Sequence, residues 1–423
     1  MYRWRGTEPT WPTHYSRTAP YIAPYPMDAY ITDAERAFRD EVRSFIRDHL
    51  PLELAARSRA QTHLSREDVT RWHRVLHSRG WSVPSWPAEY GGPGWSATQR
   101  YIFEDECARA DAPPLSTIAI SMMGPVMYTF GTDAQKARYL PGIASGEEAW
   151  CQGFSEPGAG SDLAALRTRA VRSPDATHYV VNGSKIWTTD AHKADMMFCL
   201  VRTDLEAKQQ RGISFLLLDM RSVGVTVRPL ISIDAGHSLN EVFLDNVQVP
   251  CENLIGEENK GWNYAKFLLG HERAAIAEVS RTKRRFAILL EIAQNEFSNG
   301  APLLQEAGFA ARVAEVEIEL QALELANFRL LVRGAASDAM AAASMMKLRG
   351  SEVLQKVSEL ALDALGPSAL PYAPGADGSH GSLFTAAHAA GRVEDYLFRR
   401  AATLYAGSSE TQRNILAKNI FSH

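Results

Sequence analysis

From Thr32 onward, Phe38, Val42, Phe45, Ile46 and Leu50 recur at helical spacing among Arg, Asp and Glu, and Pro51 closes the run. A single apolar stripe on a charged segment predicts a helix buried along one side. The same period predicts helices over about 66–79, 96–109, 115–130 and 133–144, separated by the turn-rich stretch Pro84–Gly94 and by Pro113-Pro114. Near residue 150 the period changes from 3.6 to 2. His178–Trp187 reads as two short apolar runs around Asn182-Gly183, the signature of a tight hairpin, and 196–201, 213–220, 225–228 and 241–249 supply further strands ending at Pro250. After Gly261 helical periodicity returns in long Ala-, Leu- and Glu-rich segments near 262–297, 302–333, 337–365 and 383–420, and Pro367–Ser382 reads as a surface loop. The expected fold is therefore α+β: an extension at 1–27, an N-terminal α-helical domain at 28–148, a middle antiparallel β domain at 149–250, and a C-terminal four-helix bundle domain at 251–423.

Composition narrows the function. The chain has 423 residues, 45% hydrophobic and 22% charged, enough to bury several cores. Its net charge of −4 offers no positive field for a phosphate backbone, so no nucleic-acid partner is expected. Cys107, Cys151, Cys199 and Cys251 show no Cys-x-x-Cys spacing, and the twelve histidines form no metal-binding pattern. Neither a disulfide framework nor a metal site is expected. No apolar run approaches the roughly 18 residues of a membrane span, which points to a cytoplasmic enzyme.

Two motifs carry candidate chemistry. In Gln152–Asp162 the small residues around Gly158, Gly160 and Ser161 let backbone N–H groups approach an anion or a planar ring; alone, the run is an ordinary turn. Trp187-Thr188-Thr189 offers an aromatic face and two hydroxyls; alone, it is a packed aromatic with two β-formers.

Together, and in this order of helices, β unit and helices, the motifs resemble the acyl-CoA dehydrogenase family over nearly all of 28–421. The resemblance extends to Gly80–Gly92, Asn240–Pro250, Gly256–Trp262 and Tyr405–Ile415, and looks closest to a bacterial branch that includes the pimeloyl-CoA dehydrogenase large subunit and is akin to steroid side-chain dehydrogenases. It implies FAD held by Phe154, Ser155, Gly160, Ser161, Trp187, Thr188 and Thr189, and across a subunit interface by Gly366, Ser408 and Glu410. It implies an acyl-CoA substrate contacted by Ser161, Arg273, Ala406 and Gly407, an electron-transferring flavoprotein as acceptor, and a homotetramer or α2β2 heterotetramer. Family members place the catalytic glutamate at one of two positions. One is Ala406 here and carries no carboxylate; the other is Glu272, which the resemblance makes the base, although a glutamate beside Arg273 also reads as a solvated helix carboxylate. Two departures stand out. The arginine relatives use for the flavin pyrophosphate is replaced by Ser298, with Arg281, Lys283 or Arg284 as substitutes, and Asp363–Pro367 replaces a Gln-x-x-Gly-Gly run. These departures also fit one subunit of a pair with an incomplete flavin site. Nitroalkane oxidase-like and acyl-CoA oxidase-like flavoproteins share the fold.

Overall fold

The computed structural model describes residues 30–60, 63–276, 278–333, 339–369 and 391–421, and of residues 271–276, 333, 339, 340 and 368 the backbone alone. The extension at 1–27 and most of the Pro367–Ser382 loop lie outside these residues.

Helix α1 (Asp33–His49) starts where Thr32 and Glu35 cap each other reciprocally: the Thr32 hydroxyl accepts from Glu35 N–H at 3.2 Å and Glu35 accepts from Thr32 N–H at 2.8 Å. Its Val42 and Ile46 are buried, as the stripe predicts. Pro51 marks a corner rather than the end of helical chain, because α2 (Leu52–Ala60) begins directly after it and buries Leu54 and Ala55. Helices α3 (Arg66–Ser78), α4 (Ala97–Arg109), α5 (Gly124–Phe130) and α6 (Asp133–Ser145) follow. The expected helix at 115–130 is α5 preceded by a wide π turn over Thr117–Met123, a local widening frequent at functional sites. The Trp86 indole locks the preceding loop by donating to Ile120 C=O at 2.8 Å. Gly92 lies so close to Trp86 that a Cβ there would fall 1.7 Å from the Trp86 carbonyl oxygen.

Strands β1 (Trp150–Gly153), β2 (Arg169–Arg172), β3 (His178–Lys185), β4 (Met196–Arg202), β5 (Ile213–Asp219), β6 (Val225–Leu230) and β7 (Leu239–Pro250) form one sheet in the order β1-β4-β2-β3-β7-β6, with β5 pairing on β4. The sheet is mixed, not wholly antiparallel: β1 runs parallel to β4, and β2 meets β4 in parallel at Arg169–Arg202. The hairpin expected at Asn182-Gly183 is absent, because β3 runs straight through the pair with β2 on one side and β7 on the other. Asn-Gly here serves a bulge. The β3–β7 register shifts between Val181 and Gly183, Gly183 takes φ of 154°, and the Asn182 carboxamide accepts from Asn246 N–H at 2.9 Å across the irregularity. The true β2–β3 turn is at Ser173–Thr177, knitted by Asp175.

β4 and β5 are apolar on both faces because both are covered. Met196, Phe198, Leu200, Phe215 and Leu217 face a core shared with the N-terminal helices and α7 (Gly261–Ile276), while Met197, Cys199, Val201, Leu216 and Leu218 fill a second core behind the sheet. The single helix expected over 262–297 is two, α7 and α8 (Val279–Asn295), broken at Glu278 with φ of 41°. A short ribbon, β8 (Phe297–Ser298) with β9 (Ala301–Pro302), leads to α9 (Ala307–Arg333), α10 (Ala339–Leu365), α11 (Arg392–Arg399) and α12 (Ser409–Phe421). α10 is central and touches α7, α8, α9, α11 and α12. Leu289, Ile292, Leu320, Val353 and Val357 belong to the bundle core.

Candidate active site

The two motifs singled out in the sequence meet. Ile186 N–H, at the end of β3, donates to Ser155 C=O at 2.9 Å, so the loop leaving β1 is stitched to the strand that delivers Trp187-Thr188-Thr189. Trp187 is 59% exposed and holds φ of 61°, a left-handed backbone that is strained for an aromatic residue and is retained where neighbours over-determine it. Those neighbours are Asn240 and Thr188: Thr188 N–H donates to Asn240 C=O at 3.0 Å and the buried Asn240 carboxamide donates back to Thr188 C=O at 3.0 Å. The Thr188 hydroxyl is buried with no partner, an orphan that a bound group would satisfy. Gly158 and Gly160 border open space, and Ser161 and Thr189 are exposed. The Phe154 ring is buried edge-on against Phe198 and Phe215, and its C=O accepts from the Lys185 ammonium.

Sequence reasoning missed what holds this loop. Lys185 is fully buried and its ammonium donates to Glu156 at 2.8 Å, Leu200 C=O at 2.8 Å and Phe154 C=O at 3.3 Å, while Glu156 accepts from Arg167 N–H at 2.6 Å and Thr168 N–H at 2.9 Å. Burial opposes the charge on Glu156, but Lys185 and these donors outweigh it and hold the carboxyl below the usual range. The available signal was a lysine inside an otherwise apolar strand pattern.

A cleft of about 950 Å³ opens beside the motif, reaching Asp190 and Lys193 just after it. One wall is α4, which presents Arg100, Glu104 and Cys107 at helical spacing; another is α7, through Lys266, Phe267 and Gly270. The π turn contributes Ser116, Thr117 and Ser121. Burial pushes the Cys107 thiol up to about 12, which keeps it protonated at neutral pH. Glu272 and Arg273 lie on α7 two and three residues after Gly270; their side chains are outside the described residues.

The floor is an ionic lattice where α2, α4, α8 and α11 meet. Arg284 binds Asp111 at 2.5 Å and Glu291 at 3.4 Å, and Arg59 also pairs with Glu291. Arg285 binds Asp395 at 3.1 Å and Glu278 at 3.3 Å, and Arg399 reaches the same two carboxylates at 3.1 and 3.2 Å. Burial disfavours charge at Asp395, yet Arg285 and Arg399 hold its carboxyl well below the ordinary value. Lys283 sits between Asp105 and Glu324 at 2.7 and 2.5 Å. Lys283 and Arg284 are thus paired inside the chain, while Arg281 lines the cleft.

Ala406 and Gly407 form the left-handed turn before α12, with φ of 55° and 87°, and the buried Gln412 donates to both carbonyls at 3.4 and 3.2 Å. This turn approaches the α7–α8 break: burial chiefly, with Glu278 nearby, raises the Tyr405 hydroxyl. Gly366 is exposed at the end of α10, and Ser408 caps α12 by accepting from Thr411 N–H at 3.3 Å. Among the described residues no hydrogen bond joins Gly366, Ser408 or the exposed Glu410 to the Ser155 or Trp187 segments. One juxtaposition was invisible in sequence spacing: His63, Asp234 and Glu394 bring ligand-type atoms within 4.8 Å of one another, with His63 hydrogen-bonded to Asp234 at 2.6 Å.

Three family models match consecutively: acyl-CoA dehydrogenase N-terminal domain at residues 32–147, middle domain at 151–247 and C-terminal domain at 259–421. The chain belongs to the acyl-CoA dehydrogenase family. Among relatives of this family, the acyl-CoA dehydrogenase IpdE1 of Mycobacterium tuberculosis is 33% identical over 391 residues, 90% of this chain and 96% of that protein. Among solved acyl-CoA dehydrogenase structures, the "Tcur3481-Tcur3483 steroid ACAD" superposes with a TM-score of 0.80 at 29% identity, covering 94% of this chain and 99% of that one. The ChsE4-ChsE5 complex from Mycobacterium tuberculosis gives 0.78 at 30% identity, covering 93% and 98%. The protein is accordingly an acyl-CoA dehydrogenase, an oxidoreductase acting on CH–CH groups.

Proposed function

We propose that the protein introduces a double bond between the α and β carbons of an acyl-CoA thioester, using FAD and Glu272 as the base. The observation that carries this reading is the junction of the Ser155 loop with Trp187-Thr188-Thr189, directly before the cleft-lining Asp190, with an unpartnered buried hydroxyl and an exposed indole beside it. The orphan Thr188 hydroxyl and the open space over Gly158 and Gly160 fit a flat, hydrogen-bonding cofactor with an anionic tail. Ser155, Trp187, Thr188 and Thr189 would hold its ring system and Gly160 and Ser161 its phosphates. When bound, FAD supplies an acceptor for the hydride leaving Cβ.

Glu272 takes a proton from the α carbon. A carboxylate near its ordinary pKa of about 4.3 is a weak base, so it needs a desolvated setting and an α-proton acidified by hydrogen bonds to the thioester carbonyl. The Ala406 N–H can make one such bond without the side chain that other members carry there. Arg273, Ser161 and Gly407 complete the substrate contacts. Electrons pass to an electron-transferring flavoprotein. Gly366, Ser408 and Glu410, which share no hydrogen bond with the Ser155 or Trp187 segments among the described residues, fit a role toward a neighbouring subunit in a homotetramer or α2β2 heterotetramer.

The test is anaerobic titration of the FAD-loaded protein with a panel of acyl-CoAs, wild type beside Glu272→Gln. Bleaching of the flavin band in wild type, with a rate about 10²–10⁴-fold lower in the variant, is expected. A protein that remains colourless after reconstitution with FAD contradicts the self-sufficient enzyme and favours a subunit completed by a partner.

A further inference from the structure

Three side chains far apart in the sequence converge beside the cleft, and each comes from a different domain. His63 lies between α2 and α3, Asp234 between β6 and β7, and Glu394 in the first turn of α11; their ligand-type atoms lie within 4.8 Å of one another. Asp234 is buried, His63 and Glu394 are half-buried, and His63 lines the cleft. The Asp234 carboxylate accepts from the Ser232 hydroxyl on Oδ1 at 2.5 Å, which leaves Oδ2 for His63 Nε2 at 2.6 Å. The His63 ring stands edge-on to Phe398 at 4.9 Å, one helical turn beyond Glu394 on α11. Gly236 gives the imidazole room: a Cβ there would fall 2.4 Å from His63 Nε2 and 2.7 Å from Asp234 Oδ2.

Two carboxylates here face one imidazole, so a proton on His63 neutralises one of them and leaves the other. Glu394 meets no protein hydrogen-bond donor or ion-pair partner among the described residues, and burial raises its carboxyl above the ordinary value, with His63 opposing the rise and Asp234 adding to it. A desolvated carboxylate without a partner is costly. A dication supplies what a proton does not, two charges and a centre within reach of all three ligands. One imidazole nitrogen with two carboxylate oxygens suits Zn²⁺, which takes N and O ligands at about 2.0–2.2 Å and accepts water in a remaining position. Seating the ion requires His63 and Asp234 to part by less than about 1 Å and the half-exposed Glu394 carboxylate to swing inward. We propose that His63, Asp234 and Glu394 form a binding site for a divalent transition-metal ion, Zn²⁺ above all, which ties the three domains together at the edge of the cleft.

The test is calorimetric titration of the full-length protein with ZnCl₂ at pH 7.5, after stripping with a chelator and removing it, for wild type, His63→Gln, Glu394→Gln and His192→Gln. Wild type should show one site with a Kd of about 10 μM or tighter. His63→Gln and Glu394→Gln should each weaken it at least about tenfold, whereas His192→Gln, which removes a histidine outside the cluster, should bind as wild type does. In thermal unfolding, Zn²⁺ should raise the wild-type midpoint by at least about 2 °C and leave the two cluster variants unmoved. If His63→Gln melts earlier than wild type without metal, Glu394→Gln decides alone. No zinc site, a site of undiminished affinity in the Glu394 variant, as adventitious histidines elsewhere would give, or a midpoint that follows pH and ignores zinc, as a proton shared within the cluster would give, each overturns the assignment. Neither readout involves flavin or acyl-CoA, so the result is independent of the dehydrogenation reading.

Discussion

Lys185 and Glu156 show how much of this site depends on residues that touch no substrate. The pair is buried beneath the loop that carries Ser155 and Gly160, and every donor on the ammonium has an acceptor. Removing one partner leaves the other buried and uncompensated. Glu156→Ala is expected to cost about 3–5 kcal/mol in denaturant-induced unfolding, whereas the double replacement Lys185→Met with Glu156→Ala should cost clearly less than the sum of the singles. A double-mutant cycle measures both. The same loop supports the flavin residues, so Glu156→Ala should also weaken FAD retention during gel filtration at a temperature where the variant remains folded. At this scale the sequence was partly legible. Ser155, Trp187 and Thr188 stood out by residue type, and the structure brings them together; Lys185 hid in a strand pattern, and the core position of the Phe154 ring depended on Phe198 and Phe215, 44 and 61 residues away.

Elements were read well where periodicity alone decides them and poorly where a neighbour decides. The helices near 33–49, 66–78, 97–109 and 133–145 follow their apolar stripes and caps. Asn182-Gly183 did not make a turn because β2 and β7 already flank β3 on both edges. Gly183→Ala tests that reading: the new Cβ would meet the Thr168 backbone at 2.7 Å in a conformation with φ of 154°, so a loss of about 1–3 kcal/mol in thermal or chemical unfolding is expected. Were the pair a solvent-exposed hairpin turn, the substitution would be far milder. The α7–α8 break makes an opposing case. Glu278 holds a left-handed backbone, and glycine would relieve about 1 kcal/mol of strain. Glu278→Gly is nevertheless expected to destabilise the protein, because Arg285 and Arg399 would each lose a carboxylate in a partly buried lattice.

Across the whole molecule, burial of charge sets the response to pH. Asp105, Glu156, Glu278 and Asp395 are each desolvated, but their cationic partners hold all four below the usual carboxylate range. Depressed carboxyl groups contribute stability that is complete above the unfolded-state pKa of about 4 and is lost as pH falls through the folded values. Glu104 works the other way: with its carboxyl raised to about 7, its contribution is complete below about pH 4 and disappears as pH climbs toward 7. The unfolding midpoint is therefore expected to be highest between about pH 4.5 and 7 and to collapse below about pH 4; a Glu104→Gln variant should flatten the neutral side alone. Among the described residues no helix is long and apolar enough to cross a membrane. Assembly is expected to show as a mass several times that of the single chain in light scattering, alone or after co-expression with a partner subunit.

The division between the two kinds of information is physical. Hydrophobic period, caps and turn residues act over a few positions, so the order of helices, sheet and helices could be read directly, as could the motifs around Ser155 and Trp187 and the absence of a carboxylate at Ala406. Which charges are buried, and which are left over, depends on neighbours dozens to hundreds of residues away. Only folding sets Arg284 against Asp111, Arg399 against Glu278 and Lys185 against Glu156. The desolvation that makes such a charge consequential exists only when the tertiary structure excludes water from around it.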